Sequence, residues 1–136
     1  MRDYCVNESG EFIYSTYLPP SSAVAAQAAI EWIQKHPKSR TKAQDQARAF
    51  RATLRAQGWQ VLGSDSAVVP VLCGDAGDAL KMGAQFLQAG VRVGTIRPPT
   101  VPQGQARLRI SLKSTLTPRD YNQLYNCFEC SRTVNA

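Results

Sequence analysis

The segment "ARLRISL", residues 106–112, constrains this chain more than any other. Leucine, isoleucine and leucine alternate with arginine, arginine and serine. Successive strand side chains point to opposite faces. Leu108, Ile110 and Leu112 therefore share one face, and Arg107, Arg109, Ser111 and Lys113 share the other. A strand with one apolar and one polar face belongs to a sheet covered on one side only, the pattern of antiparallel sheets.

The loop before it, "RPPTVPQG" (97–104), is stiff. Pro98, Pro99 and Pro102 fix three φ angles and restrict the residues ahead of them. Val101-Pro102-Gln103-Gly104 is expected to form a type I turn, with proline at i+1 and glycine at i+3. Ordering such a loop costs little entropy. Two readings stand side by side. The loop is a rigid link between antiparallel strands, or a fixed rim presenting Thr100 and the arginine behind it to an anion.

The other elements follow from local pattern. Residues 12–17, "FIYSTY", read as a short strand. Pro19-Pro20 opens a helix over 22–35 whose Ala, Val, Ile and Trp residues cover most of its circumference, so it is expected to be largely buried. A second helix over 41–57 carries Ala43, Ala47, Phe50 and Leu54 as its apolar stripe, with Arg48, Arg51 and Arg55 beside it, and ends at Gly58. "WQVLG" (59–63) and "AVVPVLCG" (67–74) read as strands, the second at an edge because of Pro70. A helix capped by Asp75 or Asp78 runs to Gly90, with Leu80, Ala84 and Leu87 on one side. "VRVGTI" (91–96) and "RLRISL" (107–112) are strands. Thr117 caps a last helix, with Pro118 at its first position and Asp120 in its first turn. Tyr121, Leu124, Tyr125 and Phe128 form its apolar face, and its end is expected to fray.

From residue 59 onward the order is β, β, α, β, β, α. It predicts an α+β fold: a small, mainly antiparallel sheet covered on one face by helices and preceded by two helices.

Composition excludes some functions. The net charge of +6 fits a solvated basic surface as well as an anionic partner. The basic helix lacks aromatic stacking platforms and any nucleic-acid motif, so nucleic-acid binding is not expected. No apolar run is long enough to span a membrane, and the N-terminus lacks an apolar signal region, so a cytoplasmic protein is expected. Its four cysteines are then reduced thiols. Cys127-x-x-Cys130 has no second pair to complete a zinc site, and His36 is remote, so no metal is expected. His36 itself reads as a surface residue at a helix C-terminus.

Three segments carry a further signal. "IRPPTVPQGQARLRISL", "FIYSTYLPPSSAVAAQAAI" and "GSDSAVVPVLCGDAGDAL" resemble, in order and spacing, signatures of the α-oxoamine synthase family. The resemblance covers nearly the whole chain. It implies the C-terminal small domain of a fold-type I pyridoxal-phosphate transferase. The "RPPTVP" form looks most like the biotin-pathway branch, which condenses L-alanine with a pimeloyl thioester, of CoA or a carrier protein, releasing CO2 and free thiol. 5-Aminolevulinate synthase and 2-amino-3-ketobutyrate ligase are close relatives.

By position, the resemblance makes Arg109 the arginine that grips the amino-acid carboxylate and Thr100 a residue of the substrate rim. Ser15 and Thr16 match the hydroxyl pair that reaches the cofactor phosphate of a neighbouring subunit, which implies a homodimer. The family's cofactor lysine, its ring-stacking histidine and its pyridine aspartate fall upstream of this chain, and Tyr17 replaces a small residue. The resemblance thus divides the chain into the end of a large cofactor domain (1–20), connecting helices (21–58) and a small domain (59–136). No catalytic residue is assigned here, and the chain alone is expected to be inactive. The alternative is a noncatalytic remnant or interaction domain. In either case the apolar faces of residues 12–37 lack their usual cover and are expected to be exposed or self-associated.

Overall fold

The computed structural model describes residues 1–13, 18–63 and 65–133, which form two compact units, Met1–Pro37 and Lys38–Ala136. The first unit is helical: α1 (Arg2–Glu8), α2 (Gly10–Ile13) and α3 (Pro20–Lys35). The strand expected over 12–17 does not begin as a strand, because the chain is helical through Ile13. The rest of that segment lies outside the described residues.

Helix α3 starts where expected, with Pro20 in its first turn, where no amide hydrogen is missed. Its burial differs from the expectation. No residue of α3 is buried, and Val24, Ile30, Trp32 and Ile33 are all about half exposed or more. A helix that is apolar all round is buried only where other segments surround it. In this chain the expectation of uncovered apolar faces is the one met. Trp32 stacks on His36 at 4.3 Å between ring centroids, and His36 Nδ1 lies 2.7 Å from the Trp32 carbonyl.

The second unit holds α4 (Pro37–Ala56, entering from the unit boundary), β1 (Val68–Gly74), α5 (Ala76–Gln88), β2 (Gly94–Ile96), β3 (Ala106–Ser111) and α6 (Pro118–Thr133). The three strands form one antiparallel sheet in the order β1-β3-β2. This is the α+β architecture expected. Pro70 lies on an edge strand, where its missing amide does little harm. The strand expected over 59–63 shrinks to a single bridge, Val61 to Val71. Trp59 N–H still bonds back to Leu54 at the end of α4, and Gly63 turns away with φ +81°, so few residues remain to pair.

The core lies between one sheet face and helices α4, α5 and α6. Phe50 and Leu54, Val69 and Val71, Met82 and Phe86, Leu108 and Ile110, and Leu124 and Phe128 meet there. At its centre the Phe128 ring stands edge-on to Phe86 (5.0 Å) and Trp59 (5.1 Å). Such tilted pairs add to the burial of apolar area.

Two expectations about helix faces change. On α5 the buried side is Ala79, Met82 and Phe86, while Leu80, Ala84 and Leu87 face solvent. Both sides carry apolar residues, so periodicity alone allows either. Gly83 decides: a Cβ there would lie 2.5 Å from Thr95 Oγ1, so its absence lets α5 touch β2. The end of α6 does not fray. The helix runs to Thr133, with Cys127, Phe128 and Ser131 buried. Its start is as expected: Thr117 N–H and Oγ1 donate to Asp120 Oδ2 at 2.7 and 2.8 Å, and Asp120 N–H returns to Thr117 Oγ1 at 3.4 Å, a reciprocal cap.

Candidate functional site

Strand β3 shows the alternation expected of it. Ala106, Leu108 and Ile110 are buried, whereas Arg109 and Ser111 are exposed and Arg107 is half-buried. Register places Pro70 of β1 and Gly94 of β2 on either side of Arg109, and Leu72 and Ile96 on either side of Arg107. The sheet face opposite the core is thus apolar at Pro70, Leu72 and Ile96, with two arginines across its middle.

The two arginines differ. Arg107 folds back on its own strand entrance, donating from Nε to the Gln105 carbonyl (2.9 Å) and from Nη2 to Gln105 Oε1 (3.1 Å). The Arg109 side chain has no hydrogen bond or ion pair among the described residues. Its side chain lies against Gly94, where an added Cβ would approach Nε to 3.4 Å. The glycine leaves room for the arginine across the strand. A planar fork of donors without a protein partner suits a carboxylate held by two parallel bonds.

Thr100 is exposed and ends a turn in which its N–H donates to the Arg97 carbonyl at 3.0 Å, across a cis Pro98–Pro99 bond. The following turn sits one residue later than expected. Gln105 N–H bonds to the Pro102 carbonyl at 3.2 Å, with Gly104 at φ +72°. That conformation at the third turn position requires glycine and makes the turn type II. Neither Thr100 nor Arg109 lines the two described cavities, of about 260 and 220 Å³. Both residues are exposed. Ser15 and Thr16 lie outside the described residues.

Sequence pattern undervalued one residue. Arg51 is 3% exposed, and its Nη2 donates to the carbonyls of Ser66 (2.5 Å) and Val68 (2.9 Å), tying α4 to the start of β1. Its Nε and Nη1 are buried without a partner among the described residues. Burial lowers its pKa, Asp65 opposes that, and Arg55 adds to it. Arg51 stands four residues after Ala47 and three before Leu54, so helical spacing already put it on the core face.

The described residues do not build a pyridoxal-phosphate site. All five lysines (35, 38, 42, 81 and 113) are exposed, and neither cavity has a lysine in its wall. Lys81 sits 3.9 Å from Asp78. Among the described residues no three metal-ligating side chains cluster, and no helix is long and apolar enough to cross a membrane.

Comparison with known proteins gives this geometry its context. The family model for aminotransferase class I and II matches residues 1–127. The 8-amino-7-oxononanoate synthase of Aeromonas hydrophila is 38% identical over 122 residues, 90% of this chain and 31% of that one. That of Xanthomonas campestris pv. campestris is 37% identical over 123 residues, with the same shares. The chain therefore spans about a third of the length of these relatives. Among solved structures, SPT with a pyridoxal-phosphate internal aldimine superposes with TM-score 0.86 at 28% identity, over 98% of this chain and 34% of that one. An 8-amino-7-oxononanoate synthase from Francisella tularensis shares the fold, with TM-score 0.76 at 24% identity, over 98% of this chain and 38% of that one. With most of its length matched by one family model and its fold by these enzymes, the chain belongs to the aminotransferase class I and II family.

Proposed function

We propose that the chain is the C-terminal part of a pyridoxal-phosphate-dependent synthase that condenses L-alanine with a pimeloyl thioester, giving 8-amino-7-oxononanoate, CO2 and the free thiol. On this reading residues 1–20 end the large cofactor domain, 21–58 connect, and 59–136 form the small domain of a cytoplasmic homodimer. The relatives named 8-amino-7-oxononanoate synthase support the choice of substrate. The cofactor would supply the electron sink; all five lysines of this chain are exposed and none lines a described cavity.

The observation that carries the proposal is Arg109. It is exposed, has no partner among the described residues, and is given room by Gly94 on an open sheet face. In the proposed role it holds the alanine carboxylate, with Thr100 on the rim beside the stiff loop and Ser15 and Thr16 toward the cofactor phosphate.

The test joins this chain to the part of a relative that it does not match and replaces Arg109. A charged hydrogen-bonded pair contributes about 1.5–3 kcal/mol. Arg109→Ala should therefore raise KM for L-alanine by about ten- to a hundredfold and leave KM for the thioester nearly unchanged. An unchanged alanine KM would refute the assignment. The isolated chain, mixed with pyridoxal phosphate and borohydride, should acquire no stoichiometric adduct at a single lysine.

A further inference from the structure

The Cys127-x-x-Cys130 pair has no part in the proposed synthase, and it straddles the core boundary, with Cys127 in the core cluster and Cys130 exposed. Both residues lie on α6, three positions apart, and so on one face of the helix. Both line the same cavity of about 260 Å³ in the seam between α5 and α6, with Gln85, Ala89, Gln123 and Asn126. Cys127 is 6% exposed, whereas Cys130 is exposed. The two thiols are close enough to feel each other: burial first, and then Cys130, pushes the Cys127 thiol pKa up. Cys127 is therefore a neutral thiol beside a solvent-accessible one.

Helix geometry sets which ligand such a pair accepts. Side chains three apart on a helix have Cβ atoms about 5–6 Å apart. A disulfide needs about 3.5–4.5 Å. Direct S–S bonding would distort α6, whose far end is held by Ser131 Oγ bonding both Gln85 Oε1 (3.0 Å) and the Cys127 carbonyl (2.8 Å). One soft atom inserted between the sulfurs spans the gap without closing it. Soft sulfur ligands select soft centres.

We propose that Cys127 and Cys130 form a dithiol site that chelates one soft, thiophilic centre of the trivalent arsenical class. With phenylarsine oxide as the probe, two S–H bonds and the As–O bond break, two As–S bonds form, and one water leaves. Arsenic stays trivalent, and no oxidant or reductant is consumed.

The test is intact-mass analysis of the folded 136-residue chain with one equivalent of phenylarsine oxide. One adduct per chain should form, survive excess glutathione, and be released by dithiothreitol, as a two-sulfur chelate requires. Cys130→Ser, at an exposed position, should reduce the glutathione-resistant adduct from one to none. Cys5→Ser and Cys73→Ser should keep it. Far-ultraviolet circular dichroism should show α6 intact after loading. The proposal is overturned by no adduct, by an adduct that glutathione strips, by one that persists in Cys130→Ser or is lost in Cys73→Ser, or by loss of helicity on loading.

Discussion

Replacing Phe128 by alanine tests whether the last two turns of α6 are docked. The ring is fully buried and meets Phe86, Trp59 and Phe50 at centroid distances of 5.0, 5.1 and 6.2 Å. A buried aromatic removes about 200 Å² from water, which at about 25 cal/mol per Å² is ~5 kcal/mol before alanine's own share is subtracted. Measured Phe→Ala changes in cores cost about 3–5 kcal/mol. The aromatic contacts favour the upper half of that range, so about 4 kcal/mol is expected. Equilibrium urea unfolding followed by tryptophan fluorescence measures it. With a urea slope of about 2 kcal/mol per M, the midpoint should fall by about 2 M. Leu87→Ala, at an α5 position 58% exposed, is the control and should move stability by no more than about 0.5 kcal/mol. A loss below about 1 kcal/mol for Phe128→Ala would refute the docking and restore the frayed terminus expected from sequence.

Two further outcomes follow from single contacts. Asp120 has its pKa lowered, first by the Thr117 N–H and then by the Thr117 hydroxyl. A carboxylate with a depressed folded pKa stabilises above its unfolded value, near 4, and loses that contribution as pH falls through the folded value. Below about pH 4 the wild-type chain should therefore lose stability more steeply than Asp120→Asn, read as urea midpoints across pH; parallel slopes would refute the cap. Gly83→Ala should cost about 1–3 kcal/mol by driving a methyl into Thr95, against a helix-propensity gain of about 1 kcal/mol. Adding Thr95→Ala should recover most of the loss, and a double-mutant cycle without coupling would show that α5 does not rest on β2 there.

Much of the fold was legible because local rules and tertiary packing agreed. The alternation in "ARLRISL" sorted Leu108 and Ile110 inward and Arg109 outward, as the structure has them. Thr117-Pro118 marked a helix start through capping chemistry that needs no distant partner. Gly58 ended α4 with the positive φ that only glycine adopts freely. Arg109 was legible as a candidate because the resemblance singled it out. The structure adds that Gly94 clears its path and that Arg107 is occupied by Gln105.

By itself the sequence determined the element order from Val68 onward, the inward face of β3 and the start of α6, because each depends on residues within one turn or one strand of each other. The tertiary structure decided what required a distant neighbour. It chose between the two apolar sides of α5 through the contact of Gly83 with Thr95. It anchored the end of α6 by placing Phe128 among aromatics from α4, α5 and the segment after α4. It drew Arg51 into the core by offering it the carbonyls of Ser66 and Val68. It left α3 uncovered, since an apolar helix is buried only where another surface meets it.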